Sequence, residues 1–422
     1  MTTIIRTGAA TLGAMVVWSL VVLFAANEGW FKTPLTPSSS PERFIAEVAQ
    51  IEKTEHRGNF SMLLVENGQI VGEYHASLGQ KVDHDSVFQV ASLSKWLTAW
   101  GVMTLVDDGV VDLDAPVADY LKRWRIPSGE FDTDGVTVRR LLSHTAGLDD
   151  GLGYSGFANR DEVQTLADSL TQAADASEGK SGMVRVGHEP GSKWQYSGGG
   201  YTLLQLLIED ASGETFTEYM KRRVFDPLRM TRTSFDFDRA AELGLAENFD
   251  TAGVPIPFRR YTALAATSLF TTTRDIGLFL MAQAPEASQP VLSKETLAAM
   301  QVPQAQSTGA DIWGIGPMLF APNDHDGFII GHDGNNEPSI NTAARLNPAT
   351  GDGIVVFETG SPLFATRIAG EWVFWKTGRI DNLAFVMGLE DTIFLAAVGS
   401  ILILIVGAAW ASVKRKKNRV QH

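Results

Sequence analysis

Ser92 and Lys95 lie three residues apart, and the apolar spacing around them predicts an amphipathic helix over residues 93–107. On a helix this separation puts both side chains on one face, one turn from each other. A hydroxyl at a helix start lies near free backbone N–H groups and the positive end of the helix dipole. With an amine one turn on, the pair has what acyl transfer needs: a nucleophile, a neighbouring base and donors for an oxyanion.

The Ser-x-x-Lys pattern is short, and about one chance match is expected in a chain of this length and ordinary composition. Ser177 and Lys180 repeat the pattern in a Gly- and Ser-rich loop with no predicted helix behind it. For Ser92 and Lys95 the alternative is a helix N-cap serine followed by a solvated lysine. The pair alone therefore does not establish catalysis.

Composition excludes several classes of protein. The 422 residues carry a net charge of −14, which argues against a nucleic-acid-binding surface. The chain has no cysteine, and so no disulfide, no thiolate nucleophile and no Cys-ligated zinc. His84, His188 and His325 show no metal-ligand spacing with one another, and we predict no metal and no organic cofactor. The sequence gives no prediction of oligomeric state.

Two uncharged stretches, residues 8–26 and 392–413, are long enough to span a bilayer. The first follows Arg6 and is longer than a usual signal-peptide core, which favours an uncleaved anchor over a cleaved signal peptide. The second ends in the basic run 414–419, and the positive-inside rule places both termini in the cytoplasm. We therefore expect an inner-membrane protein whose central domain faces the periplasm or the cell exterior. The alternative for either span is a buried core helix.

The chain divides into six predicted segments. They are an N-terminal anchor (1–32), a Pro- and Ser-rich linker (33–43), a globular domain (44–378), a juxtamembrane segment (379–391), a transmembrane helix (392–413) and a basic tail (414–422). Within the globular domain, a hairpin around Asn67-Gly68 and four late strands flank a helical region. Helices are predicted over residues 44–54, 161–174, 201–210, 216–224 and 363–376. This order predicts an α/β (α+β) fold whose sheet is assembled from N- and C-terminal pieces, with an α-rich insertion.

Six motifs occur in order along the globular domain. They are FQVASLSKWLT (88–98), LLSHTAGL (141–148), the stretch from PG to YS (190–197), GYTLL (200–204), FDPLRM (225–230) and GHDG (331–334). Together they resemble the serine β-lactamase/penicillin-binding-protein superfamily, in its class C β-lactamase-related branch, which also contains D-amino-acid peptidases and esterases. The resemblance covers roughly residues 44–376. It implies an antiparallel, β-lactamase/transpeptidase-like sheet and a serine hydrolase.

The resemblance assigns three catalytic positions. Ser92 matches the nucleophile and Lys95 the base beside it. Tyr196 matches the tyrosine of the family's Tyr-x-Asn element, which passes a proton to the leaving group. We expect neighbours and burial to lower the proton affinity of both Lys95 and Tyr196, so that each can take a proton at neutral pH.

The resemblance also assigns a substrate-binding edge. His332-Asp333-Gly334 matches the third element, which is Lys-Thr-Gly or His-x-Gly in different members and lies on the sheet's edge strand. The backbone N–H groups of Ser92 and Asn335 would form the oxyanion hole. A literal Lys-Thr-Gly at 376–378 follows the closing helix, so the position of this element belongs to His332 instead. His144 is expected to be structural.

Two departures from the family pattern bear on the substrate. Tyr196-Ser197-Gly198 lacks the asparagine that in the family helps to hold the lysine and the substrate's acylamide. His332 is neutral or partly charged, so a substrate carboxylate would be held less strongly than by a firm cation. We therefore rank esters first, D-amino-acid peptides second and β-lactams third.

The sequence thus predicts a membrane-anchored serine hydrolase that forms an acyl-serine intermediate on an ester, amide or β-lactam bond. Its expected partners are a small-molecule or peptide substrate, with cell-wall peptides as one candidate, and the lipid bilayer. The alternative is a catalytically weak penicillin-binding or sensor-type membrane module that is acylated slowly without turnover. The missing asparagine and the second apolar span motivate that alternative.

Overall fold

The structure, a computed structural model, describes residues 2–151, 153–336 and 339–420. Its strands are β1 (Phe60–Glu66), β2 (Gln69–Ala76), β3 (Phe88–Gln89), β4 (Asn248–Phe249), β5 (Pro255–Ile256), β6 (Phe270–Thr271), β7 (Ala305–Ser307), β8 (Ala310–Trp313), β9 (Met318–Pro322), β10 (Phe328–Asn336), β11 (Ile340–Asn347) and β12 (Asp352–Thr359). Its helices are α1 (Thr2–Asn27), α2 (Pro41–Glu55), α3 (Ser94–Asp107), α4 (Val138–Leu142), α5 (Leu166–Thr171), α6 (Gly198–Ser212), α7 (Phe216–Met220), α8 (Phe237–Leu243), α9 (Leu264–Thr267), α10 (Thr273–Met281), α11 (Lys294–Met300), α12 (Phe364–Thr377), α13 (Asn382–Met387) and α14 (Leu389–Val420). Short 3₁₀ helices cover Val117–Asp119 and Arg160–Glu162, and a π-helical turn covers Lys221–Phe225.

The chain separates into two units, Thr36–Trp372 and a second formed by Met1–Leu35 with Val373–His422. Each is described by itself. The six predicted segment boundaries stay predictions.

A large antiparallel sheet forms the centre of the first unit. Among the described residues its order is β2-β1-β12-β11-β10-β9-β8-β7, so the N-terminal hairpin joins the C-terminal strands through β1 and β12. Strand β1 is buried along nearly its whole length, since its apolar run packs on both faces of the sheet. The predicted sheet of N- and C-terminal pieces, with an α-rich insertion, is confirmed.

The predicted hairpin turn is present between β1 and β2. Asn67 and Gly68 have φ values of +50° and +69°, the left-handed pair that a type I′ turn requires. Strand β10 corrects one expectation, because it lies inside the sheet between β9 and β11. Its pairing with β9 ends at Gly331, and only the residues after it extend beyond that neighbour.

Helix α3 is buried over Ser94–Leu105, so it is not the amphipathic helix that the sequence predicts. Trp96 and Trp100 both pack on Phe279 of α10, with ring centroids 4.9 and 4.8 Å apart. The polar side chain of Thr98 is satisfied by donating to Ala265 O at 3.0 Å. A helix surrounded by protein on all sides gives the residues at its start a rigid, dry setting.

Two predicted helices are shorter or less regular than expected. The helix expected near residues 161–174 is only α5 and a preceding 3₁₀ turn, because Gln172 is extended and Ala173 N bonds across to Gly182 O. The helix expected over 216–224 changes from α7 into the π-helical turn. Neither difference lies in the segment that carries Ser92.

The second unit contains two long apolar helices. Residues Arg6–Asn27 of α1 and Leu389–Arg415 of α14 are long and apolar enough to cross a membrane. The helices pack on each other in opposite directions, since Gly399 lies against Trp18 and Gly407 against Thr11. Small residues at such contacts let helix backbones approach closely.

Candidate active site

Ser92 lies on a tight turn just before α3 rather than within the helix. Ala91 has a φ of +47°, an unusual conformation for a residue with a side chain. Ser94 holds the turn, because its Oγ donates to Ala91 O at 2.5 Å and accepts from Leu269 N at 2.9 Å. Backbone strain of this kind costs about 1–3 kcal/mol and persists where the surrounding structure fixes it. The turn therefore presents Ser92 in one defined position.

Lys95 reaches back to Ser92 from the first turn of α3. Its Nζ lies 3.0 Å from Ser92 Oγ and 2.6 Å from Ala266 O. The side chain is 2% exposed, and burial lowers its pKa from 10.5 to about 7 against the opposing charge of Asp150. At neutral pH much of the amine is therefore uncharged and able to accept the Ser92 proton.

Tyr196 completes the group. The Ser92 side chain lies close enough to its phenol to lower the pKa in part, and Lys95 Nζ lies 4.8 Å from its ring centroid. Burial raises its pKa, so the phenol keeps its proton at neutral pH. The expected lowering of proton affinity holds for Lys95 and is wrong for Tyr196, because desolvation of the phenol, together with the charge of Asp333, outweighs the opposing effect of Ser92.

His144 supports Tyr196 from behind. The two rings stack with centroids 4.3 Å apart, and His144 Nδ1 accepts a hydrogen bond from the backbone N–H of Ser197 at 3.1 Å. Burial and the charge of Lys95 lower its pKa well below 6.5, so the imidazole is neutral. These contacts agree with the structural role that the sequence predicts for His144.

Asp150 is a buried carboxylate beside this group that sequence reasoning missed. It accepts hydrogen bonds from Ser197 Oγ and from the backbone N–H of Gly199, the latter at 2.8 Å, at the start of α6. Burial raises its pKa to about 6. The available signal is its place two residues after the LLSHTAGL motif, for which the resemblance assigns the aspartate no role.

The position of the absent asparagine is filled by another side chain. A Cβ at Gly198 would lie 2.9 Å from Cε2 of Tyr154, whose hydroxyl bonds Thr202 Oγ1 at 2.8 Å. An asparagine at 198 would therefore require the Tyr154 ring to move. Gly198 supplies no side-chain amide, and the Tyr154 ring occupies the space that one would need.

His332 provides no positive charge. Its Nδ1 bonds Asp333 O at 2.6 Å, and burial together with the charge of Lys95 lowers its pKa to about 3. Asp333 itself forms an ion pair with Arg345, and it also accepts from Thr366 Oγ1 at 2.7 Å. The carboxylate thus neutralises the nearby guanidinium.

Gly334 brings β10 against the Ser92 turn. A Cβ at this position would lie 2.1 Å from Val90 O, 2.5 Å from Thr342 Oγ1 and 3.1 Å from the backbone N of Ser92. Asn335 follows it and donates its side-chain amide to Pro362 O at 2.5 Å. Only a glycine allows the strand to approach this closely.

Two tryptophan rings lie beside Tyr196 and His332. Trp313 contacts the rings of His332 and Tyr196 at centroid distances of 5.4 and 5.6 Å, and Trp194 lies 5.8 Å from Trp313. Sequence reasoning gave neither tryptophan a role, although Trp194 lies within the motif at residues 190–197. By contrast, Ser177 and Lys180 lie in a turn, and Lys376 lies at the end of α12 rather than on a strand.

A model of the Beta-lactamase family matches residues 44–372. The chain belongs to this family. The predicted superfamily is therefore confirmed, and the membership supports the prediction of a serine hydrolase.

Two curated proteins are similar over part of their length. Penicillin-binding protein 4* of Bacillus subtilis (strain 168) is 36% identical over 186 residues, which are 42% of this chain and 38% of that protein. Protein flp of Staphylococcus aureus (strain NCTC 8325 / PS 47) is 26% identical over 186 residues, which are 43% of this chain and 35% of that protein. The match thus spans well under half of either relative.

Solved structures share the fold. The octameric penicillin-binding protein homologue from Pyrococcus abyssi has a TM-score of 0.66 and 23% identity, over 80% of this chain and 77% of that chain. The D-amino acid amidase from Ochrobactrum anthropi SV3 has a TM-score of 0.61 and 22% identity, over 78% of this chain and 98% of that chain.

Proposed function

We propose that this protein is a serine hydrolase that works through an acyl-Ser92 intermediate. The observation that carries the proposal is the 3.0 Å contact between Ser92 Oγ and Lys95 Nζ, where burial of the lysine lowers its pKa to about 7. Lysine becomes a base at neutral pH when burial disfavours its charged form. Ser92 therefore has an activating partner already within hydrogen-bond distance.

Acylation follows from this geometry. Ser92 Oγ attacks the carbonyl carbon while its proton passes to the neutral amine of Lys95. The backbone N–H groups of Ser92 and Asn335 stabilise the oxyanion. Tyr196 donates its phenolic proton to the leaving oxygen or nitrogen as that bond breaks, and regains a proton from the Lys95 ammonium. Water then attacks the acyl-serine by the same proton transfers and regenerates Ser92.

The preferred substrate is an uncharged acyl compound, with esters first and amides second. His332 is neutral, and Arg345 is paired with Asp333, so neither offers a firm cation to a substrate carboxylate. Trp194 and Trp313 supply apolar surface of the kind that binds hydrocarbon or aromatic acyl groups. The similarity to a D-amino acid amidase and to penicillin-binding proteins supports amides, including those of D-amino acids, as the second class.

We place the protein in the cytoplasmic membrane, with both termini in the cytoplasm and the hydrolase on the other side. Two observations support this placement: the length and composition of α1 and α14, and their packing in opposite directions. An antiparallel pair of spanning helices puts Arg6 and Lys414 at the same face, where the positive-inside rule expects cytoplasm.

Two covalent probes test the function and the substrate class together. We expect a fluorescent fluorophosphonate to label the detergent-solubilised protein and not Ser92→Ala, because only an activated serine reacts. A fluorescent penicillin carries a carboxylate, and we expect it to label more slowly. Equal fluorophosphonate labelling of wild type and Ser92→Ala would refute the nucleophile assignment, and faster labelling by the penicillin would reverse the substrate ranking.

A second candidate is a module that is acylated and deacylated too slowly to act as an enzyme. Gly198 and the Tyr154 ring favour it, since they remove the amide that in the family helps to hold the lysine and the substrate. Pre-steady-state release of p-nitrophenol from p-nitrophenyl acetate separates the two. A stoichiometric burst with no further turnover identifies the slow module, and continued turnover identifies the hydrolase.

A further inference from the structure

Glu73, His75 and His84 converge at the outer edge of the large sheet. Glu73 and His75 are two residues apart in β2, so their side chains lie on the same face of that strand. His84 comes from the loop that connects β2 with β3. Glu73 Oε1 lies 3.2 Å from His84 Nδ1, and Glu73 Oε2 lies 3.6 Å from His75 Nε2. The three potential ligand atoms all lie within 4.8 Å of one another.

The imidazole of His75 is also held by its other nitrogen, and that of His84 has an acidic neighbour there. His75 Nδ1 bonds Ser61 Oγ at 2.9 Å, and Ser61 Oγ in turn contacts Thr273 Oγ1 at 2.9 Å. His75 Nε2 is buried and has no hydrogen-bond partner among the described residues. His84 Nε2 faces a carboxylate oxygen of Asp85 at 3.8 Å. Metal-binding histidines typically have such partners on the second nitrogen, which fix the ring and its tautomer.

We propose that Glu73, His75 and His84 form a Zn²⁺ site, with His75 Nε2, His84 Nδ1 and a Glu73 oxygen as protein ligands and water as the fourth. With zinc–ligand bonds of about 2.0–2.2 Å, a tetrahedral site puts neighbouring ligand atoms about 3.3 Å apart. The three ligand atoms already lie within 4.8 Å of one another, and the 3.2 and 3.6 Å contacts run to different oxygens of Glu73, so small side-chain rotations are needed to close the site around one of them. Two imidazoles and one carboxylate suit Zn²⁺ and are poor ligands for Mg²⁺ or Ca²⁺.

The role of this site is structural. His84 lies four residues before β3, and β3 leads directly into the Ser92 turn. A metal bound to His84 and to β2 would tie the intervening loop, residues 77–87, to the sheet. The site adds no step to the hydrolysis. It departs from the expectation of no metal, which considered the spacing of His84, His188 and His325 and left out His75.

The same contacts can also be explained as surface ion pairs that bind no metal. Glu73 and His84 are partly exposed, and pairs of this kind occur without any metal. The two explanations differ in whether both histidines are needed together. A metal needs His75 Nε2 and His84 Nδ1 at once, whereas each ion pair survives the loss of the other histidine.

The test is equilibrium dialysis of the untagged, detergent-solubilised full chain against ZnCl₂ after treatment with a chelator. We expect saturable binding of about one Zn²⁺ per chain, weakened at least 10-fold in both His84→Ala and His75→Ala. The exposed His325, elsewhere on the surface, gives the matched control His325→Ala, which should bind like wild type. Ser92→Ala should also bind normally, so the result is independent of the proposed hydrolase activity.

A thermal readout covers variants that fold poorly. Zn²⁺ should raise the Tm of wild type and His325→Ala, and leave the Tm of His84→Ala unchanged. Ser61→Ala keeps all three ligands and should weaken binding about 10-fold through loss of the second-nitrogen contact. Absence of saturable Zn²⁺ binding, equal binding by His84→Ala, or equal binding of Mg²⁺ would overturn the proposal.

Discussion

The pKa of Lys95 sets the expected pH dependence of acylation. Burial lowers it from 10.5 to about 7, and acylation needs the neutral amine. We predict that kcat/KM for a neutral ester is flat above about pH 7 and falls roughly tenfold per pH unit below it. Measuring kcat/KM from pH 5 to 9 with p-nitrophenyl acetate checks this. A kcat/KM that still rises tenfold per pH unit up to pH 9 would show that the lysine is charged at neutral pH.

Tyr196 is expected to donate a proton rather than to accept one, because burial raises its pKa. Tyr196→Phe keeps the stacking on His144 and removes the hydroxyl. We predict a kcat loss of about 100- to 10,000-fold with little change in Tm. Tyr201→Phe is the matched control, since its hydroxyl donates to Leu142 O instead of facing Ser92. Similar kinetics for the two variants would argue against the role of Tyr196.

Asp150 acts on Lys95 through charge, and its carboxylate raises the pKa of the lysine. Asp150→Asn keeps an oxygen that can accept from Gly199 N and removes the charge. We predict that the acidic limb of the kcat/KM profile moves to lower pH. The difference between Asp150→Asn and wild type should be seen above about pH 6, because below that pH Asp150 is itself protonated in the wild type. The more exposed neighbour gives the control Asp149→Asn, and an unmoved limb in Asp150→Asn would contradict the prediction.

Sequence reasoning at the residue scale brought together Ser92, Lys95 and Tyr196 because each belongs to a recognisable local motif. It missed Asp150 and Trp313, which reach the site only through the fold. It also gave the wrong direction for the pKa of Tyr196. That direction depends on how deeply the ring is buried, which spacing along the chain does not reveal.

At the scale of elements, the approach of β10 to the Ser92 turn is the contact that the fold must maintain. A Cβ at Gly334 would clash with Val90 O at 2.1 Å, and backbone there cannot yield easily. We predict that Gly334→Ala lowers stability by about 1–3 kcal/mol and largely abolishes Ser92 labelling. Gly129→Ala, where the nearest atom is 3.9 Å away, should change neither the urea midpoint nor the labelling. Normal labelling of Gly334→Ala would mean that the strand does not position Ser92.

Elements with strong local signals were predicted well. The hairpin at Asn67-Gly68 has turn chemistry that specifies its register, and α2, α6 and α12 lie where helices are predicted. The helix near residues 161–174 is shorter than predicted, because a backbone hydrogen bond to Gly182 replaces the bonds that would continue the helix. The interior place of β10 was missed because strand order is a tertiary property.

At the scale of the whole molecule, the central prediction is topology. If α1 and α14 both span the bilayer, a C-terminal green fluorescent protein fusion should fluoresce and a C-terminal alkaline phosphatase fusion should be inactive. A phosphatase fused in the linker, after residue 40, should be active. Active phosphatase at the C-terminus would place the tail outside the cytoplasm and refute this arrangement.

The overall architecture followed from the order of strands and helices together with the motif resemblance. The sequence alone also indicates the two terminal helices, through their uncharged stretches and the basic residues 414–419. The Zn²⁺ site was not predicted, because His75 and His84 are brought beside Glu73 by a loop whose path the sequence does not specify.

The most direct test of the account is to trap and locate the acyl group. The protein is mixed with p-nitrophenyl acetate, quenched in acid within the first turnover, digested and mapped by mass spectrometry. We predict one acetyl group, on the peptide that contains Ser92, and none in Lys95→Met. Acetylation at another serine, or equal acetylation of Ser92 in Lys95→Met, would contradict the claim that Lys95 activates Ser92 as the nucleophile.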